Sequence, residues 1–391
     1  MISYSDAIKI IENQSVNLKD FLLPINDCLG YTLSRDIYSP IDFPPFSQSA
    51  MDGYAIKFSD IKSFKVVAES KAGKANNINL NAGEAIRIFT GAYVSSGVDA
   101  IVIQEKVTLS KKNIIIDEIP RKNQNIRFKG EQIKKGDLIL SKGSIINPAS
   151  IGYILSLGIN KLPVYKKPSV VIIVSGDELV SVGANLDEGK IYESNSSMIK
   201  ACLYKEGIRD IKIVKVKDNL DQTVKTIQNQ IKNSDVVIVS GGISVGDYDF
   251  VRDAMKKNDV KEVFYKVNQK PGKPIWFGRK KNKIIFALPG NPGSTLTCFY
   301  IYVLPILRKI QGRKSIHLDK IRLKIDQNLE NNFKKTLFLK GRINFENVLS
   351  LKAQSSAKLS SFSLCDTLIY IPEKKGKISK NDKVDCFLLP K

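Results

Sequence analysis

The stretch Val236-Val237-Ile238-Val239-Ser240-Gly241-Gly242-Ile243-Ser244-Val245-Gly246-Asp247-Tyr248-Asp249 constrains the fold of this chain more than any other. Its opening β-branched run reads as a strand buried on both faces, the mark of a parallel sheet. A helical pattern begins at Tyr248, so the glycines occupy a strand-to-helix turn. Lacking a Cβ, Gly241, Gly242 and Gly246 let the backbone bend tightly and approach a ligand. Successive amide N–H groups ahead of a helix N-terminus attract an anion. Asp249 adds a carboxylate that repels phosphate unless a cation lies between them. An anion with a metal ion is the first expectation for this loop, and glycines serving only the packing of a βα turn are the plainer one.

At 391 residues the chain exceeds what one core organises, so several domains are expected. No apolar run is long enough to cross a bilayer, and Met1-Ile2-Ser3-Tyr4-Ser5-Asp6 shows no basic segment leading an apolar one. A cytoplasmic protein with no membrane contact is expected. Cys28, Cys202, Cys298, Cys365 and Cys386 are scattered and never spaced as CxxC, which reads as buried reduced thiols. The single histidine, His317, excludes a multi-histidine centre. Any metal is then held by oxygen, as Mg²⁺ is. The net charge of +22 raises the question of nucleic acid. The lysines, however, come as dispersed pairs such as Lys111-Lys112 and Lys256-Lys257, with no basic stripe interleaved with aromatics. A nucleic-acid partner is not expected, and a small anionic substrate gains from the same field.

Taken in order, Ala7, Ile8, Ile11, Val16 and Leu18 recur at helical spacing and predict a helix within Ser3 to Leu23. Pro44 and Pro45 force an extended path through Asp42 to Ala55, where Asp52-Gly53 turns into a strand, as a hairpin corner or a functional loop. Short β runs broken by glycine from Phe64 to about Leu140 predict a mostly β module. Within it, Arg87-Ile88-Phe89-Thr90-Gly91-Ala92 places a hydroxyl at a strand end. Pro148 to Leu157 is helical in pattern, and Pro163 to Pro168 reads as a linker.

Beyond Pro168 the rhythm changes. Strands Val170–Val174, Ile211–Val216, Val236–Val239 and Ile284–Leu288 alternate with helices: one capped by Asn195, one from Asp221, one from Tyr248 and one over Thr295–Ile310. This implies a doubly wound parallel sheet. Such sheets bind ligands at the carboxyl ends of their strands. Ser175-Gly176-Asp177-Glu178, Asp218, Gly241 to Asp249 and Pro289-Gly290-Asn291-Pro292-Gly293-Ser294 all fall there, and they carry the carboxylates Glu178, Asp218 and Asp249. Lys270-Pro271-Gly272-Lys273-Pro274 holds two ammonium groups on a stiff loop, which suits an oxyanion because less side-chain entropy is lost. Alone it would be a surface turn. Past Gly312 short β segments return, predicting a small C-terminal β domain on which Arg342 and Ser355 to Ser363 read as surface.

These motifs together resemble the molybdopterin molybdenumtransferase family, which includes bacterial MoeA and the E domains of gephyrin and its plant counterpart. The matching stretches are Pro44 to Ala55 with its Ser-Ala-Met-Asp-Gly-Tyr-Ala core, Phe89-Thr90-Gly91-Ala92, Ser175 to Leu179, Ser240 to Asp249, the KPGKP loop and Leu288 to Pro292. They follow the family order and span nearly the whole chain. The resemblance implies an α/β and β multidomain fold. In it, a doubly wound parallel-sheet domain (168–313) is flanked by an inserted mostly-β domain (43–142) and a C-terminal β domain (314–391), while 1–42 and 143–167 form an N-terminal domain. It also implies a homodimer with a shared active site. The implied reaction takes molybdate and adenylated molybdopterin to the molybdenum cofactor and AMP, with Mg²⁺.

Carried over by motif, Glu178, Asp218 and Asp249 would bind the metal and the adenylate region, and Lys266 and Lys270 would neutralise phosphate or molybdate charge. Asp52 and Thr90 would reach the pocket from the partner subunit. Ser175, Gly176, Asp177, Gly241, Gly242, Ser244 and Gly246 would hold the adenylated pterin. Lys273, Pro289, Gly290, Asn291, Pro292 and Ser294 would surround the oxyanion, closed by Arg342 and Ser356. Gln132 stands where the family commonly has an aspartate. A transient contact with the adenylyltransferase that makes the substrate completes the implied partners. The alternatives are that adenylyltransferase chemistry itself, a gephyrin-like scaffold and a basic nucleic-acid-binding protein.

Overall fold

A computed structural model describes residues 1–75, 77–243 and 250–390. The apolar runs of the middle region become β1 (Val170–Ser175), β2 (Ile211–Val216), β3 (Val236–Ser240), β4 (Lys261–Tyr265), β5 (Trp276–Lys280) and β6 (Lys283–Leu288). They form one sheet in the order β2-β1-β3-β6-β5-β4. The first four strands in that order run parallel, and β5 and β4 extend the edge antiparallel. Successive side chains point to opposite faces of a strand. Val170, Ile172 and Val174 therefore enter one core with Ile238 and Phe286, while Val171, Ile173, Val237 and Val239 enter another. Burial on both faces is why these strands read as unbroken apolar runs.

Helices α1 (Asn195–Lys205), α2 (Leu220–Asn233), α3 (Phe250–Lys257), α4 (Pro292–Cys298) and α5 (Leu304–Ile310) cover the two faces. Ile199 and Leu203 of α1 and Leu307 of α5 pack on the first, and Ile227 of α2 and Met255 of α3 on the second. The long helix expected from Thr295 to Ile310 is two α segments joined by the π turn Phe299–Val303. Pro305 follows that turn and has no N–H to complete a regular ladder. Because β1, β2, β3 and β6 are parallel, their carboxyl ends at Ser175, Val216, Ser240 and Leu288 share one edge.

Two local expectations give way. The first helix is only Tyr4–Glu12, capped by Ser3, whose hydroxyl accepts from the Asp6 amide at 3.1 Å. Residues Asp20–Pro24 form a strand instead, paired antiparallel with Lys161–Tyr165. Pro163, read as part of a linker, therefore sits in a two-stranded ribbon, where a proline without an N–H is tolerated. The first helix also packs on the doubly wound core, where Ala7 and Ile11 join Val170 and Leu304.

The β module is a six-stranded sheet, with strand Gly53–Ile56 between Ala100–Ile103 and Glu84–Ile88. At the C-terminus, Thr336–Asn344 pairs with both Asn347–Ser350 and Thr367–Ile371. With Lys320–Ile325 and Lys383–Leu388, this closes a five-stranded barrel. Gln269–Lys270 adds a parallel pairing to Thr336–Leu337 and so ties the KPGKP segment to the barrel.

A buried ion cluster holds the doubly wound domain to the chain that leaves it. Glu206, 5% exposed, lies 3.0 Å from Arg308 Nη2 and 2.7 Å from Arg313 Nη1. Removing one partner of such a cluster leaves uncompensated buried charge. Glu206→Gln is expected to cost about 3 kcal/mol, read as a lower urea midpoint in the fluorescence of Trp276, which is buried on β5 of the same domain. Nearby, burial and the charges of Arg313 and Arg209 push Lys167 down to about 8 from 10.5. The unfolded chain binds the extra proton between those values, so stability rises with pH across that window. Thermal melts from pH 8 to 10 should show this gain in the native protein, and Lys167→Met should lack it.

Candidate active site

Two strand ends on the shared edge, those of β1 and β3, and helix α3 come so close that side chains are excluded. A Cβ on Gly241, at φ +92°, would stand 2.6 Å from the Ser175 carbonyl oxygen, and one on Gly242, at φ +63°, 2.7 Å from Val251 Cγ2. Left-handed φ and missing space both demand glycine at these two positions. Beside them opens a cavity of about 630 Å³. Its floor is Ser240 to Ile243, and its walls include Ser175, Gly176 and Glu178 on one side and Pro289 to Pro292 on the other.

Asp218 is held in place from both neighbours. Its Oδ1 accepts from Ser175 Oγ at 2.5 Å, and its Oδ2 from the Asp177 amide at 3.2 Å. The Asp218 amide in turn donates to Asp177 Oδ1 at 3.3 Å. Asp218 and Glu178 thus share the lining of one cavity. Ser244, Gly246 and Asp249 lie outside the described residues. Among the described residues no group of three or more metal-binding side chains gathers.

Asn195 emerges as a site residue that sequence reasoning took only for a helix cap. Ser194 is the cap, and Asn195 begins α1. Its Nδ2 donates to Ser240 Oγ at 3.0 Å and to the Gly290 carbonyl at 2.8 Å, bridging the glycine turn and the proline loop across the cavity. A polar residue opening a helix after a strand is a weak signal, because capping explains it equally well. The proline loop is braced from below by Thr295, whose hydroxyl donates to the Pro289 and Asn291 carbonyls. Ser294 is buried behind this loop, and Asn291 Nδ2 reaches Ser356 Oγ at 3.3 Å.

The remaining predicted residues stand apart from this cavity. Of the KPGKP segment only Pro274 lines it. Lys270 Nζ sits 3.4 Å from the centre of the Phe333 ring on the barrel, Lys266 Nζ 4.7 Å from that of Tyr265, and Lys273 is exposed. The loop itself is fixed from behind by Gln269, whose Nε2 donates to the Pro271 carbonyl at 2.9 Å while its Oε1 accepts from Tyr302 Oη. Arg342 is exposed on the barrel strand Thr336–Asn344. Asp52 and Thr90 meet each other in the β module: the Thr90 amide and hydroxyl both donate to Asp52 Oδ1, at 2.8 and 2.7 Å. Those bonds hold the Asp52 carboxyl below the usual carboxylate range. Gln132 is exposed in the same part of the chain, its amide donating to the Phe43 carbonyl.

The fold and the cavity define the class: a doubly wound α/β domain with a ligand cavity at the carboxyl ends of its strands, joined to β domains. Residues 2–158 match the MoeA N-terminal region (domain I and II), and residues 171–309 match a probable molybdopterin binding domain. The chain is 34% identical to a molybdopterin molybdenumtransferase of Haemophilus influenzae, covering 96% of this chain and 95% of that one. It is 35% identical to that of Staphylococcus epidermidis over 81% and 77% of the two chains. The solved molybdopterin biosynthesis moeA protein of Pyrococcus horikoshii aligns over 100% of both chains at a TM-score of 0.86 and 26% identity. The chain belongs to the molybdopterin molybdenumtransferase family.

The cavity floor gives a direct test. Gly241→Ala is expected to cost about 1–3 kcal/mol, read as a lower urea midpoint, because the added methyl has to displace the Ser175 carbonyl. Gly290→Ala should unfold at the native midpoint, since its Cβ would meet only Gly241 Cα at 3.8 Å.

Proposed function

We propose that the chain inserts molybdenum from molybdate into adenylated molybdopterin, releasing AMP and leaving the molybdenum cofactor. The observation that carries the reading is the cavity at the strand carboxyl ends, with its glycine floor and the carboxylates Glu178 and Asp218 on one wall. An adenylate phosphate on the Gly241–Gly242 turn would lie against backbone that has no side chain to obstruct it. The charge of that phosphate and of the two carboxylates calls for a hard cation, and the all-oxygen donor set fits Mg²⁺. Glu178 and Asp218, with Asp249, would hold it, and when bound it would offset charge on phosphoryl oxygen.

The chain's own part is to bind and orient. Asp218 is fixed by Ser175 and Asp177, and Asn195 keeps the turn and the proline loop at constant separation. An oxygen of water or molybdate attacks the AMP phosphorus. The phosphoanhydride P–O bond breaks and its electron pair leaves on the pterin phosphate. The two dithiolene thiols then bind the metal of molybdate, and their two protons leave with one molybdate oxygen as water, with no change of oxidation state. No Ser-His or Cys-His pair is needed for this, in keeping with a chain that has one histidine.

The same reading makes the protein a homodimer. Asp52 and Thr90 are bonded to each other in the β module and do not line the cavity of their own chain, so their role would be on a partner's cavity. A transient contact with the adenylyltransferase would then deliver the adenylated substrate. Free cysteines, four of them buried, fit a reducing cytoplasm.

The decisive assay is AMP release from adenylated molybdopterin with and without molybdate; an absence of both release and metal insertion would sink the reading. Glu178→Gln should lower turnover by at least about a hundredfold with the melting midpoint retained. Mixed Asp52→Asn and Glu178→Gln subunits should regain part of the activity if sites are shared. Proven heterodimers without recovery would place each site within a single chain.

A further inference from the structure

Lys340 is a lysine almost wholly removed from water, at 3% exposure, in the barrel strand Thr336–Asn344. A buried ammonium is costly unless every proton finds an acceptor. Its Nζ donates to the carbonyls of Ala353 at 3.0 Å, Ser355 at 3.2 Å and Lys358 at 3.1 Å. Three acceptors match the three protons of the group. The main chain of the same residue is tied in as well. Gln354 Oε1 accepts from the Lys340 amide, and Gln354 Nε2 donates to the Lys340 carbonyl, both at 2.9 Å. Residue 340 therefore determines the path of the segment 353–358 from its inner side.

The outer side of that segment meets the cavity rim. The Gly293 amide donates to the Ser356 carbonyl at 2.8 Å, and Asn291 Nδ2 donates to Ser356 Oγ at 3.3 Å. Ala357 lines the cavity. The fit is tight: a Cβ at residue 293 would stand 2.7 Å from the Ser356 carbonyl oxygen. Lys340 itself does not line the cavity, and its ammonium is occupied by the loop.

We infer that Lys340 is a positioning residue, an internal cationic latch that holds segment 353–358 of the barrel in the path that lets Ser356 and Ala357 close the rim against Asn291 and Gly293. The ligand affected is the one bound at that rim, which on the proposed function is the oxyanion. The kinetic arm of the test rests on that reading and the exchange arm does not. An apolar residue in this place, on the outer face of the strand with Phe338, would take three donors from the loop, leaving the Ser355 carbonyl to the Lys358 amide and the Ala353 and Lys358 carbonyls to share the one proton of the Ser361 hydroxyl.

Hydrogen exchange decides the geometry. In Lys340→Met the Gly293 amide should exchange at least about tenfold faster, with the amides of β1 unchanged and Lys340→Arg close to native. Native protection of Gly293 in Lys340→Met would overturn the latch. In the AMP-release assay, Lys340→Met should raise the molybdate KM about tenfold while kcat falls less than about threefold. Lys340→Arg should restore the KM. A loss of kcat at unchanged KM is what simple damage to the fold gives, and it would overturn the positioning role. Should Lys340→Met not fold, Gly293→Ala strikes the same contact from the rim and should give the same KM shift, an unchanged KM counting against the proposal. A native protein without molybdate-dependent turnover would refute the function, while the exchange result would still decide the latch.

Discussion

The structure depends on backbones meeting where three parallel strands end. At Gly241 the chain leaving β3 comes so near the Ser175 carbonyl that a single methyl would stand 2.6 Å from it. That closeness brings Glu178 and Asp218 onto one wall and leaves the proline loop as the other. It is possible only because the strands are parallel and fully buried, since register then fixes every carboxyl end at one level. The same constraint makes the site intolerant. A side chain at Gly241 would displace the end of β1 as well as its own turn, so floor and wall cannot vary independently.

The C-terminal barrel is joined to this edge twice, and by different physics. Gln269–Lys270 adds to the barrel as a strand through main-chain bonds, and its side chain is locked by Tyr302 on the π turn. The second junction is segment 353–358, fixed by a cation bonded to carbonyls. A strand pairing sets relative position firmly. A loop held through side-chain bonds sets only the rim. One junction therefore aligns the barrel as a body, and the other closes its edge over the cavity rim.

Much of this was legible in the residues. The β-branched runs located β1, β3 and β6 because burial on both faces removes polar alternation. The convergence of Ser175, Asp218, Gly241 and Pro289 followed from strand direction alone. What the sequence hid was set by tertiary partners. Asp20–Pro24 lies where helical spacing was extended too far, and it became a strand because Lys161–Tyr165 pairs with it. Asn195 looked like a cap, since bridging two loops leaves no trace in local pattern. The KPGKP lysines were expected to serve an oxyanion, and the structure sets Lys270 over Phe333 of the barrel. Loop stiffness predicts that a lysine is held, not which way it points.

That separation resolves an apparent contradiction in charge. The chain carries +22, but the described lining of the cavity includes Glu178 and Asp218 and no lysine or arginine. The long-range field concentrates anions around the whole molecule, whereas two carboxylates at short range oppose any phosphate that enters unaccompanied. A steering field and an acidic cavity are compatible if phosphate arrives with a cation between it and the carboxylates. The lysines on adjoining loops lie outside that lining, and on the proposed function they are left for molybdate, which needs no accompanying cation there. On the proposed reading, adenylate and molybdate are distinguished by this division: one enters where carboxylates require a metal, and the other stays where ammonium groups suffice.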